Sequence, residues 1–296
     1  MALHVVGNVC VDDTFYVDRL PRLGETVNAV ASARGVGGKG ANQAVAAARS
    51  GAEVVFRAAL GADADAGFVR AALAAELPLD GLVVLDTPTD RSTILVDRTG
   101  ENIVVTAAAS AMAFDPAGFP VRPGRGDYLL MQGNLRTDVT GACLKRAKER
   151  GAVTLLNPSP LGSTALPTAD VVIVNAVEAE ALAGCTDPAE AAHRLSRDGA
   201  ASVVVTLGAA GALLLEQGEP RLLPAPRVVA VDTSGAGDVF AGVLSGCLAR
   251  DLSLADAVAI GVRAAAIAVT RRGTLAACPS RPEIAGLING TSRDLS

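Results

Sequence analysis

Short β-branched runs alternate with alanine-rich stretches of helical period along almost the whole chain. The runs Leu3–Val6, Glu53–Ala58, Leu82–Leu85, Tyr128–Met131, Val153–Leu156, Val171–Val174, Val203–Leu207 and Ala212–Leu215 are short and mostly apolar, as strands covered on both faces are. Between them, Ala41–Ser50, Gly67–Glu76, Thr137–Arg150, Ala189–Asp198, Ala236–Ala249 and Leu254–Arg271 read as helices. Gly51 and Gly151 stand where helices end in a left-handed residue, and Thr137 or Asp138 stands where one is capped. Strands separated by helices predict βαβ units and a doubly wound, mainly parallel sheet with helices on both faces.

Two segments break the alternation, 13–35 and 91–108. The second reads as a hairpin, Arg91–Asp97 and Asn102–Ala107 around the turn Asp97-Arg98-Thr99-Gly100. Both are assigned to a small β lid, and 1–12, 36–90 and 109–296 to the main α/β domain. The last dozen residues are expected to be a helix end and a loose tail.

Composition narrows the function classes. Half of the 296 residues are hydrophobic, only 3% are aromatic and Trp is absent, so the core is built from small side chains. A net charge of −5 gives no reason to expect nucleic acid or acidic membranes as partners. No apolar run reaches the length of a membrane span, and the N-terminus lacks a signal-peptide pattern, which places the expected compartment in the cytoplasm. Cys10, Cys143, Cys185, Cys247 and Cys278 have no zinc spacing and read as small hydrophobes under reducing conditions.

Two loops carry candidate chemistry. The first, Gly35-Val-Gly-Gly-Lys-Gly-Ala-Asn-Gln43, feeds glycines into a helix and suits a polyhydroxy or anionic ligand. Gly35, Gly37 and Gly40 also satisfy a dinucleotide G-x-G-x-x-G, the basis for an alternative oxidoreductase reading. The preceding Asn28–Arg34 is a poor buried strand and no acidic residue follows at the expected place. The second loop, Asp232-Thr-Ser-Gly-Ala-Gly-Asp238, runs directly into a helix. It puts the N–H groups of Gly235, Ala236 and Gly237 at the positive end of a helix dipole, as an anion hole. Asp238 lies in the same turn, placed to take a proton from an attacking hydroxyl. An ordinary capped helix is the plain alternative.

These loops resemble the sugar-binding and catalytic signatures of the ribokinase, or PfkB, family of carbohydrate kinases. Gly7–Asp12, Pro21–Thr26, Asn157–Pro160, Asn175-Ala-Val-Glu178, Thr206-Leu-Gly208 with Gly211, and Ala266–Gly273 extend the resemblance over nearly the whole chain. It implies a ribokinase-like fold and transfer of the γ-phosphoryl group of MgATP to a sugar or polyol hydroxyl. Asp238 would be the base and Gly235, Ala236 and Gly237 the anion hole. Asp12, Gly38, Lys39, Asn42, Cys10 and Asn134 would line the sugar pocket. Asn175, Glu178, Thr206, Gly208, Gly211 and Val262 would serve the nucleotide, with Glu178 reaching magnesium through water. Asp232, Thr233 and Gly273 would form a site for a monovalent cation, potassium or similar. A homodimer joined through the lid is expected. Cys10 and Asn134 depart from the family member that phosphorylates ribose, which has Asn and Glu there, so the substrate is left open. A nucleoside kinase of the same fold and a non-catalytic sugar-binding regulator are the other readings.

Overall fold

The computed structural model describes residues 1–116, 122–163 and 165–291. The first strand, β1 (Ala2–Val6), lies inside a nine-stranded sheet. The lid strands β2 (Cys10–Tyr16) and β3 (Ala31–Gly37) follow, then helix α1 (Lys39–Arg49), β4 (Glu53–Leu60), α2 (Ala64–Leu73) and β5 (Leu82–Val84). After the lid strands β6 (Asp90–Val96) and β7 (Asn102–Ala107) and the short α3 (Ala109–Ala113), the chain returns to the main sheet as β8 (Tyr128–Gln132). Then come α4 (Thr137–Glu149), β9 (Val153–Asn157), β10 (Val171–Asn175), α5 (Ala176–Ala183), α6 (Pro188–Arg197) and β11 (Ser202–Thr206). The edge strands β12 (Ala212–Glu216) and β13 (Glu219–Leu223) precede α7 (Ala236–Leu248), α8 (Leu254–Ala268) and α9 (Arg281–Thr291).

The main sheet has the order β13-β12-β11-β10-β9-β8-β1-β4-β5. It is parallel from β11 to β5, with β12 and β13 antiparallel at one edge. The expected doubly wound α/β fold with a small β sheet is the fold the chain adopts. Alternate residues of β1 feed two cores, Leu3 and Val5 one, Val6 the other. The first core lies under α1, α7 and α8; the second lies under α4 and α6. Strand order reverses at β1, so the crevice at the carboxyl ends of β1 and β8 is where a ligand is expected in such a sheet.

The small sheet has the order β3-β2-β6-β7. Its strands run past the limits set from sequence: β2 begins at Cys10 and β3 continues to Gly37. The 91–108 hairpin forms as read, with Asp97 Oδ1 accepting from the Thr99 and Glu101 amides and Gly100 at φ 86°. Other bounds differ. Helix α1 starts at Lys39 rather than Ala41, because Gly38 at φ 94° already ends the extended chain. Helix α2 starts at Ala64, where the Asp63 side chain accepts from the Ala66 amide. Neither Thr137 nor Asp138 caps α4; Arg136 is the cap residue and Asp138 pairs with it. Elements α3, α5 and β13 were not anticipated, and α9 supplies the helix end expected in the last dozen residues. Helix α5 follows β10 with no loop between, and β13 buries only Leu223, so neither leaves a clear period. The expected tail beyond α9 falls on 292–296, outside the described residues.

Candidate active site

The start of α1 is pressed onto the turn between β1 and β2. A Cβ on Gly40 would lie 2.6 Å from the Asn8 carbonyl oxygen, and one on Gly38 would lie 2.8 Å from the Val9 Cα. Only glycine permits that approach. Asn8 fastens the contact, its side-chain oxygen accepting from the Gly40 amide (3.3 Å) and its carbonyl from Ala41 (3.0 Å).

The start of α7 is built the same way. Gly235 sits in the left-handed region at φ 75°, and a Cβ there would lie 3.0 Å from the Thr274 Cα. Ala236 donates to the Thr233 carbonyl at 3.3 Å, whereas Gly237 faces open space. The first turn of α7 is therefore open beside Gly237, where a helix N-terminus can meet an anion.

Helices α1 and α7 bring their first turns together at Asp238, which is buried. Asn42 Nδ2 donates to its Oδ2 at 3.1 Å, and Gln43 Nε2 donates to its Oδ1 at 3.0 Å. Lys39 Nζ lies 3.7 Å from Oδ1. Gln43 also donates to Asn157 Oδ1 (3.0 Å), and Asn157 donates to the Ile173 carbonyl (2.9 Å).

Asp12 approaches from the lid side. It lies inside β2, although 1–12 is assigned from the sequence to the main domain. Its Oδ1 accepts from the Cys10 thiol at 3.2 Å, and its Oδ2 accepts from the Thr274 hydroxyl at 3.4 Å. Burial pushes the Asp12 carboxyl above the usual carboxylate range; Cys10, Ser92 and Thr274 pull it back, and the Asp238 charge adds to the rise. Burial, with the neighbouring Asp12 charge, also pushes the Cys10 thiol well up. Asn134 follows β8, half-buried, and its Oδ1 is buried without a hydrogen-bond partner.

Asn175 and Thr206 end β10 and β11 side by side in register. Asn175 Oδ1 accepts from the Glu178 amide (2.8 Å) while Glu178 Oε2 accepts from the Asn175 amide (3.0 Å), a reciprocal cap on α5. Gly208 (φ 57°) and Gly211 (φ 104°) bracket a tight turn after β11. Val262 is 5% exposed and packs in the core, so it offers at most an apolar wall. The Asp232 carboxylate is engaged by the Ser234 and Gly273 amides, each at 2.8 Å, and ties the α7 entry to the loop after α8.

The structure thus draws Lys39, Asn42 and Asp238 into one contact group, with Asp12 close enough to feel the Asp238 charge. Glu178, Thr206 and Gly211 form a second group at the ends of β10 and β11. The glycine run does not form a dinucleotide loop. Gly35 and Gly37 belong to β3, which pairs antiparallel with β2, where the fingerprint requires a parallel strand entering a helix. Gln43, Gln132 and Thr274 were not singled out as site residues; the only signal was that Gln43 follows Asn42 in the glycine run.

Comparison with known proteins agrees with this geometry. The model of the pfkB family carbohydrate kinases matches residues 2–281. A ribokinase of Haemophilus influenzae is 33% identical over 95% of this chain and 96% of its own length. A deoxyribokinase of Salmonella typhi is 30% identical over 95% and 96%. The Arabidopsis thaliana ribokinase solved with ribose and ATP superimposes with a TM-score of 0.83 at 25% identity, over 97% of this chain and 98% of that one. With a matching model over nearly its full length and the two glycine loops meeting at one carboxylate, the chain belongs to the pfkB family and is an ATP-dependent carbohydrate kinase.

Proposed function

We propose that the enzyme phosphorylates a sugar related to ribose that presents no strong hydrogen-bonding hydroxyl to Cys10. The observation that carries this reading is the orientation of the Cys10 thiol. Its proton is directed at Asp12 Oδ1, and its sulfur lies 3.4 Å from Ser92 Oγ. What remains for a substrate is the weak acceptor capacity of sulfur. The resemblance to a deoxyribokinase at the same level as to ribokinases supports a pentose lacking one hydroxyl.

Asp12, Gly38, Lys39, Asn42 and Asn134 hold the sugar in this reading, and Asp238 takes the proton of the attacking hydroxyl. Its two oxygens each have a donor from α1, which holds the carboxylate plane still while leaving lone pairs for the hydroxyl. Gly235, Ala236 and Gly237 stabilise the charge developing on the transferred phosphoryl group. Thr206, Gly208, Gly211 and Val262 bound the nucleotide.

Among the described residues there is no cluster of three His, Cys, Asp or Glu side chains able to hold a metal ion. This suits magnesium that enters with the ATP phosphates and meets Glu178 through water, Asn175 holding that side chain in place. The oxygen donors of Asp232, Thr233 and Gly273 suit a monovalent cation such as potassium. Bound there, it would stiffen the junction that Asp232 already ties.

Across the lid, Phe15, Leu95 and Ile103 stand opposite one another in register, with Val105 67% exposed on the same face. Such an apolar sheet face suits a second copy of the lid, hence a homodimer. Among the described residues no helix is long and apolar enough to cross a membrane, which fits a cytoplasmic kinase.

An ADP-release screen over ribose, 2-deoxyribose, other pentoses, hexoses, polyols and nucleosides tests the substrate, run in potassium and in a bulky organic cation. Ribose ranking first would overturn the reading of Cys10. Equal rates in the two salts would remove the cation site, and a monomer by light scattering would remove the lid dimer.

A further inference from the structure

Gln43 is fully buried at 0% exposure, a position that rarely keeps a polar side chain unless every polar atom is satisfied. Here the atoms are satisfied in only one orientation. Asn157 Nδ2 faces the Ile173 carbonyl, which can only accept, so Asn157 must present Oδ1 to Gln43. The Asp238 carboxylate can likewise only accept when ionised. Two independent acceptors therefore fix the same end of Gln43 as the NH₂ group. Its Oε1 then accepts from Gln132 Nε2 at 2.8 Å. A flipped amide would set oxygen against oxygen at both Asp238 and Asn157.

We infer that Gln43 is a positioning residue for phosphoryl transfer: backed by Gln132 and Asn157, it fixes the carboxylate plane of Asp238. The inference rests on Asp238 acting as the base. The chain of amides runs from β10 through β9 and α1 to α7, with a branch to β8, so the attitude of the base is referred to three strands of the main sheet. Lys39 could not serve alone, since its amine stands 3.7 Å from Oδ1 on a partly exposed, flexible chain. A neutral amide also orients the carboxylate without cancelling its charge, and a base needs that charge.

Gln43→Met keeps the volume and removes the donor. The expected result is a loss of kcat of about 10- to 100-fold, with KM for ATP and for the sugar within about twofold, because the ground-state contacts of both remain. Gln43→Glu puts a like charge beside Asp238. The charged groups already facing Asp238 are Lys39 from α1 and Asp12 from β2. The added carboxylate should move the acidic limb of the kcat–pH profile to higher pH, which a purely structural role would not do. Gln132→Met does not touch Asp238 and should lower kcat in the same direction by less; it carries the test if the Gln43 variants fail to fold. The inference is overturned if folded Gln43→Met keeps kcat within about threefold, if its loss appears in KM with kcat kept, if the Gln43→Glu limb superimposes on wild type, or if Gln132→Met leaves kcat unchanged. Asp238→Asn separates this from the base assignment: a fully active Asp238→Asn enzyme removes the base, whatever the Gln43 variants do.

Discussion

Gly242 of α7 lies so close to Gln43 of α1 that a Cβ on it would stand 2.4 Å from the Gln43 carbonyl oxygen. One turn later Gly246 makes the same approach, its added Cβ 2.9 Å from the Ala47 carbonyl oxygen and 2.2 Å from Ser50 Oγ. Two glycines four residues apart give α7 a bare stripe, and Ala46 and Ala47 of α1 fill it. The helices that carry the two signature loops are thus held near backbone contact, and that spacing puts Gln43 Nε2 within 3.0 Å of Asp238.

Gly242→Ala should therefore damage stability and catalysis together. The new methyl would also stand 2.7 Å from the Ala46 Cβ, so backbone must move. Overpacking of this kind costs about 1–3 kcal/mol. Urea denaturation should show the loss, and kcat should fall as the Gln43–Asp238 bond lengthens. A variant as stable and as active as wild type would mean that the helices part freely.

Asp238→Asn should abolish most of the turnover while ATP still binds. The substitution keeps the shape but replaces one acceptor by an amide group that confronts the donor of either Asn42 or Gln43. Loss of a general base costs about 10²- to 10⁴-fold in rate. Steady-state kcat with ATP affinity from calorimetry decides it; more than about a third of wild-type kcat counts against the base.

The two glycine loops were legible because their glycines answer to local demands. Gly38 and Gly235 need left-handed backbone, and Gly40 needs closeness to Asn8. What joins the loops was not legible. Gln43 and Asp238 are 195 positions apart, and beyond its place after Asn42 nothing marks the glutamine as more than one more polar residue on a helix. Asn175 misled differently: it is the last residue of β10 and the cap of α5 at once, so a reading that assigns each residue to one element loses the helix. Asp12 falls within the 1–12 assigned to the main domain, yet it is carried by the lid sheet. Asp12 therefore comes from the small sheet, and Asp238 from a helix packed on the large one.

Asp90 opens β6 opposite Cys10 and is 1% exposed. Burial pushes its carboxyl up to about 6 despite hydrogen bonds from the Ser110 and Ala111 amides. The folded value lies above the ordinary 3.8, so folding favours the protonated form. The stabilisation this brings is fully present below 3.8 and is lost as pH rises through about 6. Relative to Asp90→Asn, wild type should become less stable between pH 4 and 7. Paired urea titrations across that range measure the difference, and one that grows in favour of wild type with rising pH contradicts the sign.

In the proposed reading, the identity of the sugar turns on Cys10 and Asn134. The Cys10 thiol is spent on Asp12, which its proton helps to hold in place. An asparagine there would supply a true donor and acceptor, and a glutamate at 134 a charged acceptor. Asn134 already has a buried Oδ1 with no partner, which is costly unless a ligand satisfies it. Cys10→Asn with Asn134→Glu should therefore raise kcat/KM for ribose relative to the preferred sugar by about ten- to a hundredfold, the worth of one buried hydroxyl paired or unpaired. The comparison needs both enzymes on ribose and 2-deoxyribose with ATP saturating, so that a general loss of turnover cancels in the ratio. If the ratio does not move, the two side chains do not read the sugar, and discrimination lies with Asp12, Lys39 and Asn42, which the double variant leaves unchanged.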